Sequence, residues 1–303
     1  LEPSKGEVKR VLLDKLETYR AAQAAGIPTP RFWRFGTLAE LQGAADGLPY
    51  PVIVKPLKSQ DFEVFGRKYL FARDKDHLLE QFGRAAREGI ETVVMEFIPG
   101  PDDLLCSYNA WVDQTGEARL AFTKRIIRRY PVNMGIACCH VTDRNPEVAE
   151  MGLRFFRHVG LVGFGNIEFK RDPRDGQLKI IECNARFTAS DCLAVASGVE
   201  FGLFSYLWAI GRAPNAPQAD YRPGRRLWLP LEDLHAMRAL RRQGALSLGG
   251  WLASLRPPIM TPLFDWRDPG PVLREGAARL GNLARKGGGR IGDGRRSRGG
   301  AVP

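Results

Sequence analysis

Two carboxylates, an amide and a guanidinium are spaced to meet on one face of a single hairpin in residues 165–186, GNIEFKRDPRDGQLKIIECNAR. Asp172-Pro173-Arg174-Asp175-Gly176 sets a proline and an Asp-Gly step between two alternating segments, which predicts a hairpin with a slightly long loop. On its first strand Asn166, Glu168 and Lys170 share a face and Ile167 and Phe169 point the other way. On its second, Glu182, Asn184 and Arg186 share a face against Ile181, Cys183 and Ala185. Closing the hairpin about Asp175 sets Glu168 opposite Glu182 and Asn166 opposite Asn184, with the like charges about 5 Å apart across the ladder. Such a pair is unfavourable unless a cation lies between. Magnesium is the natural candidate, since it takes oxygen ligands, is held by one or two carboxylates and fills its remaining positions with water and substrate phosphate. Glu168, Glu182 and Asn184 are therefore the expected metal ligands. The competing arrangement is a surface hairpin whose glutamates pair with Arg186 and Lys170.

Two further stretches carry unusual charge. Residues 51–56, PVIVKP, form a continuous apolar strand bounded by prolines, and a lysine embedded near its end needs an anionic partner. A phosphate would supply it; the alternative is a lysine snorkelling out of the strand end. Further on, TKRIIRRYP holds four basic residues in six, more than a sheet edge needs, so one or two of Lys124, Arg125, Arg128 and Arg129 are expected to meet a phosphate or a substrate carboxylate. The period of two puts Lys124 and Arg128 on one face, and that pair is the expectation. His140, in the strand GIACCHVT, reads as structural.

The acidic strand, the short turn and Glu182-x-Asn184-x-Arg186 resemble the metal-binding end of the ATP-grasp superfamily, and the resemblance extends over roughly residues 14–211. It implies an α+β fold in which two α+β lobes grip ATP. It also implies an enzyme that uses ATP and magnesium to phosphorylate a carboxylate and hands the acyl phosphate to a nucleophile, usually an amine. Within the superfamily the sequence is most similar to carboxylate-amine ligases of the D-aspartate ligase kind.

In that resemblance Lys55 holds the α and β phosphates, and Lys55 and Arg186 stabilise the charge that spreads over the transferred phosphoryl group. Asp14-Lys15, a helix and then Gly26-Ile27-Pro28-Thr29-Pro30 look like the start of the module, which brings Lys15 towards the phosphates; periodicity alone makes Lys15 an exposed helix residue. The strand TVVMEFI, ending in Pro99-Gly100 and an acidic pair, resembles the hinge that recognises adenine. There the Phe97 carbonyl and the Ile98 amide would face the base edge, Glu96 would border it and Asp103 would take the ribose hydroxyls. The family often has a glycine-rich lid over the triphosphate; this chain offers Gly66, with Lys58 and Lys68 adding charge. Two other readings compete: a kinase of the same fold acting on a non-carboxylate acceptor, and a non-enzymic nucleotide or RNA binder.

The elements that must position these groups follow from periodicity and punctuation. Helices are expected over 8–25, stopped by Gly26, over 74–88 and over 146–159, with two more between 188 and 211 punctuated by Gly198 and Gly211. Strands are expected over 51–56, 68–72, 92–98, 105–112, 117–127 and 135–142, and on both sides of the hairpin. Residues 221–272 carry apolar segments expected as helices packed on the body. With the two lobes that the resemblance implies, the chain divides into an opening helix and linker (1–29), lobe one (30–94), lobe two with the metal site (95–211), a C-terminal helical extension (212–273) and a disordered basic tail (274–303).

A chain of 303 residues that is 44% hydrophobic can bury a full core. Its longest apolar run, Phe201 to Ile210, is too short to span a bilayer, and its five cysteines show neither zinc spacing nor a disulfide framework, which fits a reducing cytoplasm. The net charge of +11 suggests nucleic acid until it is located: residues 274–303 hold eight Lys or Arg against two acids. That glycine-rich stretch is expected to be a solvated tail, so neither nucleic acid nor membrane is an expected partner; the partners that the resemblance implies are a small carboxylate and an amine. The chain starts without methionine, and a piece of a longer protein, lacking the α/β domain that usually precedes the lobes, is expected.

Overall fold

The computed structural model describes residues 6–57, 61, 68–214, 220–262, 264, 267–274 and 276. They fall into two compact units, Leu1–Met260 and Thr261–Pro303. The expected lid residues Lys58 and Gly66, and the tail from 277 on, lie outside the described residues.

Within the first unit a four-stranded sheet, in the order β1-β4-β2-β3, is built from β1 (Phe32–Trp33), β2 (Val52–Pro56), β3 (Leu70–Ala72) and β4 (Thr92–Glu96). One of its faces buries Val52, Val54, Leu70 and Val94 against Leu41, Leu78 and Phe82. These last three come from α3 (Leu38–Ala44) and α4 (Lys75–Arg87). Alternation therefore turns Ile53 and Lys55 to the other face.

The second sheet has seven strands in the order β11-β10-β7-β6-β5-β8-β9. They are β5 (Leu105–Val112), β6 (Ala118–Tyr130), β7 (Ile136–Asp143), β8 (Gly163–Arg171), β9 (Leu178–Asn184), β10 (Arg226–Trp228) and β11 (Ile259–Met260). One face packs Tyr108, Ile167 and Phe169 against Phe155 and Phe156 of α5 (Pro146–Val159). On the opposite face Trp111 and Phe122 pack on α6 (Asp191–Ser197) and α7 (Phe201–Ala209) through Leu193, Phe201 and Phe204. That cover reaches one end of the strands, and the other end, at Leu105 and Glu168, looks onto the first sheet across a cavity.

The single helix expected over 8–25 is two: α1 (Gly6–Leu13) and α2 (Lys15–Ala24). Asp14 breaks it by taking an extended backbone and capping α2, its side chain accepting from the N–H groups of Leu16 and Glu17. The break turns Lys15 inward, to 6% exposure, against the expectation from periodicity. Residues 221–272 also differ: α8 (Pro230–Arg242) and α9 (Leu248–Ser254) are helices, but β10 and β11 extend the large sheet beyond β7. In the second unit, Phe264 N–H donates to Thr261 O (3.3 Å) and Leu273 N–H to Pro269 O (3.1 Å). Among the described residues no single helix is long and apolar enough to cross a membrane.

Candidate functional site

The hairpin closes in the expected register. Glu168 pairs with Glu182 and Asn166 with Asn184, before a bulge between Glu168 and Phe169 shifts the remaining pairs. Neither carboxylate makes a hydrogen bond or ion pair with any described residue, and both line the cavity between the sheets. The competing surface hairpin does not form. Lys170 Nζ donates instead to the carbonyls of Ile98 (2.9 Å) and Gly100 (3.0 Å), and Arg186 donates to its neighbour's carbonyl, Phe187 O (3.4 Å). Two like charges set opposite one another are a cost; the nearby charges of Lys55 and Lys15 on Glu182 and of Lys124 on Glu168 offset part of it, and a cation between the carboxylates would offset more. Among the described residues no group of three or more His, Cys, Asp or Glu side chains is arranged to hold a metal ion. The donor set on offer is thus two carboxylates plus the Asn184 amide, which lies on the Glu182 strand and beside a smaller cavity behind it.

Lys15, Lys55, Lys68 and Lys170 also line this space. Lys55 is 9% exposed, and its ammonium makes no hydrogen bond or ion pair with any described residue. Burial pulls its pKa down to about 8, with the Glu182 charge opposing and Lys15, Lys68 and Arg129 adding to the fall. Lys15 donates to Leu57 O (3.3 Å), and its pKa is also lowered by burial against the pull of Glu182. Desolvation outweighs the attraction of Glu182 at both Lys55 and Lys15.

At the far side of the cavity β4 runs into Phe97 and Ile98. Glu96 N–H donates to Arg31 O and Phe97 N–H to Pro51 O, and the Ile98 carbonyl is taken by Lys170. The Phe97 carbonyl and Ile98 N–H are left without partners among the described residues, an acceptor beside a donor at the cavity wall. Glu96 is clamped by Arg174 (2.7 Å) and Arg31 (3.3 Å). Burial opposes its ionisation, but the Arg31 hydrogen bonds and the Arg174 charge outweigh it and hold the carboxyl below its ordinary range.

The structure thus brings Lys15, Lys55, Glu96, Phe97, Ile98, Glu168 and Glu182 together. Others stand elsewhere. Asp103 is exposed and does not line the cavity; its neighbour Asp102 is the buried one, holding Arg129 (2.7 Å). Arg186 is exposed, because β9 ends at Asn184 and the alternation that would have aligned it stops there. Arg128 is buried in an ion pair with Asp233 (2.6 Å), so its expected role at a phosphate or substrate is replaced by a structural one. Two register shifts between Ile126 and Arg129 break the period of two on which the Lys124–Arg128 pairing rested. Lys124 itself stays on the site's face, in one transverse row with Ser107, Glu168 and Glu182. It is 4% exposed, with a single hydrogen bond to Asn109 Oδ1 (3.4 Å). Burial lowers its pKa against the charges of Asp191 and Glu168.

Sequence reasoning missed Tyr69 and Asn133 as lining residues, and it weighed Arg129 but chose Lys124 and Arg128 over it. The bulges that deliver Arg129 leave no mark in its own sequence, whereas Pro131-Val-Asn133-Met-Gly135 is a legible turn signal.

Residues 139–205 match the family model described as "Carbamoyl-phosphate synthase L chain, ATP binding domain". The chain is 27% identical over 206 residues to a D-aspartate ligase of Enterococcus faecium, covering 64% of this chain and 48% of that protein. It is 26% identical over 218 residues to a D-alanine-D-alanine ligase of Xylella fastidiosa, covering 65% and 67%. Among solved structures it resembles the biotin carboxylase domain of the Hydrogenobacter thermophilus 2-oxoglutarate carboxylase in complex with MgADP, with a TM-score of 0.59, 20% identity and coverage of 72% of this chain and 49% of that one. It likewise resembles an L-amino acid ligase from Bacillus licheniformis, with a TM-score of 0.57, 20% identity and coverage of 75% and 55%. The chain spans about half the length of the first curated relative and of these solved chains.

Proposed function

We propose that this chain, a member of the ATP-grasp superfamily, binds ATP with magnesium between its two sheets and joins a carboxylate to an amine. The observation that carries this reading is the Glu168–Glu182 pair, in register and with no hydrogen bond or ion pair from either carboxylate to a described residue, sharing a cavity with a Lys55 ammonium that makes none either.

The donor set fits a hard divalent cation: two carboxylates and a neutral amide leave room for water and phosphate oxygens. Glu168, Glu182 and Asn184 would hold it, and bound there it would neutralise charge on the phosphates. Phe97 O and Ile98 N–H match a 6-aminopurine edge, which presents one donor and one acceptor. Lys55 and Lys15 supply positive charge for the phosphates in a partly desolvated cleft, where such charge acts more strongly than in water. Lys124, three strands from Glu182 in the same row, is the group we assign to the acid substrate. A carboxylate oxygen of the acid attacks the γ-phosphorus and ADP leaves. The amine then attacks the acyl carbon, phosphate leaves with the bonding pair, and the amine loses a proton.

The test is a screen of amino acids and other amines for ADP release by the purified protein with ATP and magnesium. Release of ADP and phosphate that requires both an acid and an amine supports the ligase reading. Release that needs no amine and leaves a phosphorylated product would assign the chain to kinase chemistry instead.

A further inference from the structure

Asn133 is the one non-glycine residue with a left-handed backbone among those described, at φ 64°. Its main chain is fixed from three sides. Asn133 N–H donates to Asp102 Oδ2 (3.2 Å), and its carbonyl accepts from the Tyr69 hydroxyl (2.8 Å) and from Arg129 Nη2 (2.7 Å). Its side-chain amide is not used: no hydrogen bond from it to a described residue exists, and Oδ1 is buried without a partner. The residue lines the cavity beside Tyr69 and Arg129.

Asparagine tolerates this backbone, but glycine adopts it with less strain and would leave no buried polar atom. A turn therefore does not require the side chain, and a buried acceptor without a donor is a cost. Over-determined backbone strain of this kind collects at ligand sites.

We propose that the Asn133 amide binds the sugar hydroxyls of the nucleotide, in place of the exposed Asp103; this rests on the nucleotide reading above. A carboxamide offers an acceptor and a donor together, which matches a vicinal diol, where each hydroxyl can give and take a hydrogen bond. The phosphates do not fit Oδ1, since they bring no donor to it, and they have Lys55 and Lys15. The base edge already has Phe97 O and Ile98 N–H. The diol is the remaining donor-bearing part of the ligand.

The experiment measures the affinity of ATP, 2′-deoxyATP and 3′-deoxyATP by calorimetry, with magnesium, for the wild type and for Asn133→Gly, which keeps the left-handed backbone. The wild type should prefer ATP to at least one deoxy analogue. Asn133→Gly should weaken ATP by about two- to ten-fold per hydrogen bond lost and leave that analogue unchanged, so that the preference collapses; Asn133→Asp, which keeps an acceptor, should retain part of it. Equal weakening of all three nucleotides, or a ribose preference that survives in Asn133→Gly, overturns the assignment while leaving the nucleotide reading intact. A wild type that binds none of the three overturns both.

Discussion

Lys55 carries a positive charge into a site where burial lowers its pKa to about 8, while the unfolded chain keeps that proton to about pH 10.4. Between these values the unfolded state binds more protons, so the ligand-free protein should gain stability as pH rises through that window; below about 8 the full cost of the buried charge is present. Ligand affinity should run the other way. ATP binding needs the ammonium, so it should hold steady below about pH 8 and fall above it, towards ten-fold per unit, while adenosine binding stays flat. Calorimetry from pH 7 to 9.5 reads this, and a flat ATP profile would mean that Lys55 meets no phosphate. Lys55→Ala should weaken ATP by about ten-fold to over a hundred-fold and adenosine hardly at all, the range for a charged hydrogen bond. Equal loss for both would instead report local unfolding of β2.

At the scale of the element, the hairpin was legible because its strands alternate and its turn chemistry is explicit, so the pairing of Glu168 with Glu182 could be written from sequence alone. The fate of Arg128 and Arg129 could not be, since a bulge changes which side chain faces inward and no residue in RIIRRY announces one. The exposure that periodicity alone gives Lys15 fails for a related reason: the Asp14 cap breaks a helix that apolar spacing alone would continue. The hairpin's own anchor was also hidden. Asp172, fully buried, accepts from Arg174 Nε (2.8 Å) and Lys179 Nζ (2.7 Å), and Arg174 reaches on to Glu96, tying the turn to the hinge strand. The Arg174 hydrogen bonds, with Lys179 against the burial cost, hold the Asp172 carboxyl well below the usual carboxylate range. Its stabilising contribution is therefore present above about pH 4 and lost as pH falls below it. Asp172→Asn should lower stability at neutral pH by on the order of 1.5 to 3 kcal/mol and flatten the acid side of the stability profile. An unchanged urea midpoint would show that the anchor is solvated.

At the scale of the molecule, residues 226–254 belong to the large sheet and its cover, and the sequence offered no chemistry for them because their anchor is a partner far away in the chain. Asp233, with no exposure, receives Arg128 Nε and Nη2, Trp228 Nε1 (3.0 Å) and Trp251 Nε1 (2.7 Å). That hub fixes the β6 bulge next to Arg129, so the C-terminal segment supports the wall of the cavity. Asp233→Ala strands a buried guanidinium and should cost about 3 to 5 kcal/mol, read as a lower urea midpoint. The two sheets meet over the candidate site, where the central claim is that the paired glutamates take a magnesium ion together with the nucleotide. The most direct measurement is ATP binding by calorimetry with and without magnesium, on the wild type and on Glu182→Gln. The wild type should bind ATP tightly only with magnesium, and Glu182→Gln, with its thermal unfolding still cooperative, should lose that dependence; tight, magnesium-dependent binding retained by Glu182→Gln would contradict it.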